Sequence, residues 1–149
     1  MSSRPDELAR ACRHAQLIGA MLVLSLVTYA FVAETIRTQQ APFIGFVPAA
    51  PIGAFRVVLA GMAAVNLLVA RIIPRNIRAR RAAGPAAQRL LTASVVALAM
   101  CEAIAIYGFV LFLLGGRRTD FYAFAALSLL GFAWHFPRLS QWEAWAHQA

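Results

Sequence analysis

Charge is scarce in this chain. Asp, Glu, Lys and Arg make up 13% of its 149 residues, against about 25% in soluble domains. Lysine is absent altogether, and all 14 basic residues are arginine. Cysteine is nearly absent too. Cys12 precedes the first apolar run and Cys101 lies in the middle of the third, so the two are not placed to pair. No Cys-x-x-Cys spacing for zinc occurs. The three histidines, His14, His135 and His147, lack the short spacing of metal ligands. No nucleophile–base pair, phosphate-cradling glycine loop or dinucleotide fingerprint is present. The expectation is a protein without enzymatic activity, cofactor or metal.

What is present is apolar and comes in blocks. Apolar residues are 61% of the chain and the mean hydropathy is +0.67. Nothing alternates with period two over these blocks, which argues against strands. A spanning helix needs about 20 apolar residues. Four segments approach that length: 17–36, 52–73, 90–114 and the shorter 121–136. The spacing predicts an all-α, polytopic membrane protein with four transmembrane helices. Residues 1–16 would form a cytoplasmic segment, 17–136 the membrane domain and 137–149 an interfacial tail. The first sixteen residues are polar and no small-x-small cleavage site follows the first apolar run, unlike a cleaved signal peptide.

The net charge of +8 raises the question of nucleic acid, but the arginines flank apolar runs, as membrane topology requires. With four spans, one side carries Arg4, Arg10, Arg13, Arg71, Arg75, Arg78, Arg80, Arg81, Arg89 and Arg138. The other carries Arg37, Arg56, Arg117 and Arg118. The positive-inside rule then places both termini in the cytoplasm of a bacterial cell, with the chain in its cytoplasmic membrane. Trp134, Trp142 and Trp145 all fall at that edge, where amphipathic rings suit the headgroup layer. The lipid bilayer is the expected partner, with a homo-oligomer or larger membrane complex beyond it and no nucleic acid.

A weak internal repeat supports two hairpins in parallel arrangement. Thr28-Tyr29-Ala30-Phe31-Val32 echoes Ile106-Tyr107-Gly108-Phe109-Val110, and Ile72-Ile73-Pro74-Arg75 echoes His135-Phe136-Pro137-Arg138.

Glu102 is the residue that carries chemistry. It sits near the middle of 90–114, where a carboxylate costs roughly 2.5–3.5 kcal/mol on insertion scales. Ala97, Cys101 and Ala105 form a small-residue stripe beside it, the pattern that lets helices approach closely. In the second span Ala60 and Ala64 offer a similar stripe, and Asn66 lies at a comparable depth. Asn66 is therefore the expected partner of Glu102, whereas Tyr107, about 140° further round the helix, is not. The pair is a candidate for proton or ion binding, or for a polar contact between helices. At the outer end Glu34 and Arg37 are spaced to pair, and Asp120 is placed to cap the fourth helix.

The stretch Arg81-Ala-Ala-Gly84-Pro85-Ala-Ala-Gln88, followed by Glu102-Ala-Ile-Ala-Ile-Tyr107-Gly108-Phe109-Val110, resembles the c subunit, or proteolipid, of rotary ATP synthases. There a basic cytoplasmic loop leads into a helix whose mid-membrane carboxyl binds the translocated proton or sodium ion. The resemblance implies that role for Glu102 and covers about sixty residues. The chain departs from the family in three ways: few glycines in the second span (Gly53 and Gly61), no Arg-Gln-Pro loop, and two further spans. As a whole it is most similar to small four-span bacterial membrane proteins.

Overall fold

The computed structural model describes residues 5–79 and 85–148. Arg4, Arg80, Arg81 and the rest of loop 81–84 lie outside the described residues, as do the side chains of Arg78 and His147. Among the described residues five helices follow one another: α1 (Pro5–Gln39), α2 (Ile52–Ala79), α3 (Ala86–Gly115), α4 (Arg118–His135) and α5 (Leu139–Gln148). Among the described residues there is no strand. Helices α1, α2 and α3 are long and apolar enough to cross a membrane. At 18 residues, α4 extends about 27 Å at 1.5 Å per residue.

Local sequence explains the ends. Proline suits the first position of α1, where its missing N–H has no helical partner to lose, and Asp6 and Glu7 in the first turn complement the positive end of the helix dipole. Helix α2 runs through Pro74 and past the end expected at Ile73, because an interior proline forfeits one hydrogen bond without ending the flanking turns. The C-terminus of α3 is closed by the chain itself. Gly116, at φ 69°, donates its N–H to the Phe112 carbonyl at 2.7 Å. The loop 40–51 folds back so that the Phe46 and Val47 N–H groups reach the Leu113 and Leu114 carbonyls at 2.8 and 3.3 Å. Three of the four carbonyls left over at the helix end, those of Phe112, Leu113 and Leu114, thus find partners.

Helix α3 is the hub. It packs against α1, α2 and α4, and its central window is far more buried than those of α1 and α2. The first two helices, expected as a hairpin, pack on α3 instead of on one another. The α3–α4 pair does form a close hairpin. A Cβ at Gly108 would lie 2.5 Å from the Phe124 Cβ, and one at Gly131 would lie 2.7 Å from the Cys101 Sγ. Ser128, fully buried, donates to the Cys101 carbonyl at 2.7 Å. Ala97, Cys101 and Ala105 are each at most 2% exposed. On α2, Ala60 and Ala64 face outward, while Ala63 and Ala70 are buried. In this alanine-rich stretch Leu59 and Leu67, packed beside Ala63, choose the contact face.

The C-terminal tail is helical and packs on the bundle. Helix α5 docks on α1, where Trp142 is buried with Leu8, Cys12, Ala15 and Leu90. Trp145 lies 5.1 Å from the Arg89 guanidinium, and the Gln16 amide donates to the Pro137 carbonyl at 3.1 Å. Of the three tryptophans only Trp134 is widely exposed, at 83%.

Gly108→Ala and Gly131→Ala are each expected to destabilise by about 1–3 kcal/mol through overpacking. At Gly61 an added Cβ meets nothing within 4 Å, and alanine there should stabilise by up to about 1 kcal/mol through helix propensity. Unfolding in detergent followed by circular dichroism checks the contrast; equal losses at all three sites would refute the close α3–α4 contact.

Candidate functional site

Mid-depth polar groups of the bundle meet across helices. On α1, Ser25 and Tyr29 stand four residues apart, hence on one face, and that face meets α3 at Glu102. Both hydroxyls reach the same carboxylate oxygen: Ser25 Oγ is hydrogen-bonded to Glu102 Oε1, and the Tyr29 hydroxyl donates to it at 3.2 Å. The Tyr29 ring is held by stacking on Phe109, centroids 5.5 Å apart, about two helical turns beyond Glu102. Glu102 itself is half-buried.

The proton count at Ser25 matters. Its Oγ lies 2.7 Å from the Leu22 carbonyl as well as in contact with Glu102. A serine hydroxyl has one proton to give. If that proton goes to Glu102, the carboxyl acts as a pure acceptor. If it goes to Leu22, the contact with Glu102 survives only when the carboxyl supplies the proton. The geometry therefore serves a carboxylate and a carboxylic acid alike.

Asn66 has different partners from Glu102. Its amide donates to the Tyr107 hydroxyl at 3.2 Å and to the Met100 carbonyl at 3.4 Å. The expected Asn66–Glu102 contact is replaced by two separate ones because α1 and α2 approach α3 from different sides. At ~100° per residue, Met100 and Tyr107 share the face turned to α2, and Glu102 points about 160° away from Met100 and toward α1.

Polar pairs also tie the N-terminal end of α4. Arg56 on α2 donates through Nε to Asp120 Oδ1 at 3.0 Å and through Nη2 to Oδ2 at 2.7 Å. Asp120 is therefore an ion-pair partner and not the helix cap, a position held by Arg117. Arg37 pairs with Glu34 at 2.8 Å, and Glu34 also accepts from the Tyr122 hydroxyl at 2.8 Å. At the opposite end His135 contacts the Gly131 carbonyl through Nδ1 at 3.0 Å. The fully buried Cys101 Sγ lies 4.0 Å from that nitrogen. Among the described residues no group of three His, Cys, Asp or Glu side chains is placed to hold a metal ion.

The chain matches no protein-family model, and neither the curated proteins nor the solved structures contain a match to it.

Removing either end of the Asn66–Tyr107 contact should cost about 0.6 kcal/mol, the average for such contacts in membranes. Asn66→Leu and Tyr107→Phe should then be less than additive when combined. Fully additive losses in thermal unfolding would show that the two side chains do not meet.

Proposed function

We propose that this chain is an integral membrane protein of four helical spans. It serves as an accessory or structural component of a membrane complex, with Glu102 as the polar contact that holds α1 to α3. The observation that carries this is the convergence of Ser25 and Tyr29 on Glu102 Oε1. Such a contact costs little to keep in a membrane and is expensive to leave unmade.

Support for the membrane comes from the outer surface. Leu17, Met21, Leu24, Val27 and Phe31 of α1 are at least 58% exposed, as are Val57 and Val58 of α2 and Leu130 of α4. Soluble monomers rarely show contiguous apolar patches beyond a few hundred Å². Support for a fourth span comes from α4, whose ~27 Å approaches the roughly 30 Å of hydrocarbon. Docking of α5 on the start of α1 puts both termini at one end. Among the described residues that end carries Arg10, Arg13, Arg71, Arg75, Arg89 and Arg138, against Arg37, Arg56, Arg117 and Arg118 at the other. Two of those four are neutralised by Glu34 and Asp120. The asymmetry favours a bacterial cytoplasmic membrane with both termini inside.

A second reading, a proton- or ion-binding proteolipid-like subunit with Glu102 as carrier, is favoured by the contact of Ser25 Oγ with both the Leu22 carbonyl and Glu102. A carboxyl whose neighbours accept both of its protonation states is suited to take up and release a proton.

Carbodiimide labelling of the purified protein in lipid, located by mass spectrometry with Glu102→Gln as control, separates the two. The reagent needs a protonated carboxyl reachable from an apolar phase. A structural contact predicts no labelling at any pH and normal assembly of Glu102→Gln, since the amide oxygen still accepts from both hydroxyls. Labelling of Glu102 that fades as pH rises would replace the structural role by proton binding.

A further inference from the structure

Where α2, α3, α4 and α5 meet at the arginine-rich end, the bundle leaves a half-open cavity of about 290 Å³. Arg71 and Arg75, one turn apart on α2, form one wall. Ser94 of α3, His135 of α4 and Gln141 of α5 supply further hydrogen-bonding groups, and Trp134 stands at the margin. Among the described residues lining it none is acidic. The contrast with the outer arginines is informative: Arg37 and Arg56 have carboxylate partners at 2.8 and 2.7 Å, whereas Arg71 and Arg75 line a space that a ligand can enter.

We propose that this cavity binds a phosphate group. Two guanidinium forks at i and i+4 present planar pairs of N–H donors, which match phosphate oxygens bidentately. The hydroxyl of Ser94 and the amide of Gln141, which line the same cavity, add neutral donors. A phosphate carries acceptor oxygens alone or in excess, which a donor-rich, acid-free lining suits better than it suits a cation or a zwitterion. Basic pockets between membrane helices on the cytoplasmic side bind anionic headgroups on the same principle. The exposed Trp134 ring at the rim is placed as an interfacial residue would be, so the headgroup of an anionic phospholipid has access from the bilayer. A soluble phosphate has access from the open side. The inference stands on the cavity and is independent of what Glu102 does.

The test is native mass spectrometry of the full chain in mild detergent with phosphatidylglycerol or phosphatidylcholine added, beside ³¹P relaxation of inorganic phosphate. Retention of phosphatidylglycerol over phosphatidylcholine that falls about thirtyfold in Arg71→Gln/Arg75→Gln, roughly fivefold per arginine, identifies a lipid phosphate. Arg117→Gln/Arg118→Gln, at the other end, should leave that retention unchanged. Phosphate relaxation that depends on Arg71 and Arg75 without a lipid preference identifies a soluble phosphate. Equal retention in both double variants, with no relaxation effect, overturns the proposal. Should the Arg71/Arg75 variant fail to fold by circular dichroism, photoactivatable phosphatidylglycerol on the unsubstituted protein decides. Cross-links confined to residues 71–75 and 134–141 support the site, and cross-links elsewhere overturn it.

Discussion

The bundle depends on how closely α3 and α4 approach. In the membrane setting proposed above, helices gain nothing by hiding apolar side chains from one another, so association would rest on packing and on hydrogen bonds. Gly108 and Gly131 remove the side chains that would keep these two backbones apart, and Ser128 turns the proximity into a hydrogen bond to the Cys101 carbonyl. Once α4 is seated, the remaining faces of α3 are open to α1 on one side and α2 on another. Each then needs its own reason to stay, and each has one polar contact at mid-depth.

Those contacts share a logic. Glu102 with Ser25 and Tyr29, and Asn66 with Tyr107 and the Met100 carbonyl, place polar groups at helix–helix seams where they find partners. A polar side chain facing lipid alone would be costly, while a matched pair selects one rotation of each helix about its axis. The ends of the bundle are handled differently. The end where α4 begins is fastened by compensated charges, Arg56 with Asp120 and Arg37 with Glu34. At the other end Arg71 and Arg75 line a cavity, and on this difference the proposed anion site rests.

Much of this was legible in the residues, and the failures have physical causes. Long apolar runs without period-two alternation sufficed for the helices, and the three-residue spacing of Glu34 and Arg37 for their pairing. Glu102 stood out because a mid-run carboxylate is expensive. Its partners did not stand out, although Ser25 and Tyr29 at four-residue spacing are the signal that places two hydroxyls on one face of α1. Asn66 attracted attention by depth alone, and depth does not say from which side a helix approaches. The choice between Ala60 with Ala64 and Ala63 with Ala70 could not be made where alanines crowd at several registers; the neighbouring leucines decide it. The tail's tryptophans carry no signal of which of them the protein covers: Trp142 fills a cluster with Leu8, Cys12 and Leu90, because the apolar positions of the first turns of α1 offer it a surface. Asp120 looked like a cap from its place before an apolar run, and its partner Arg56 lies 64 residues away.

The role of Glu102 as the link between α1 and α3 is tested most directly by a double-mutant cycle. One arm is Glu102→Ala and the other is Ser25→Ala with Tyr29→Phe, read as unfolding free energy in lipid or detergent. A coupling of about 0.5–2 kcal/mol is the expected result, because removing the carboxyl should make the loss of both hydroxyls inconsequential. Fully additive losses would mean that the three side chains do not act together, and would contradict the placement of α1 on α3.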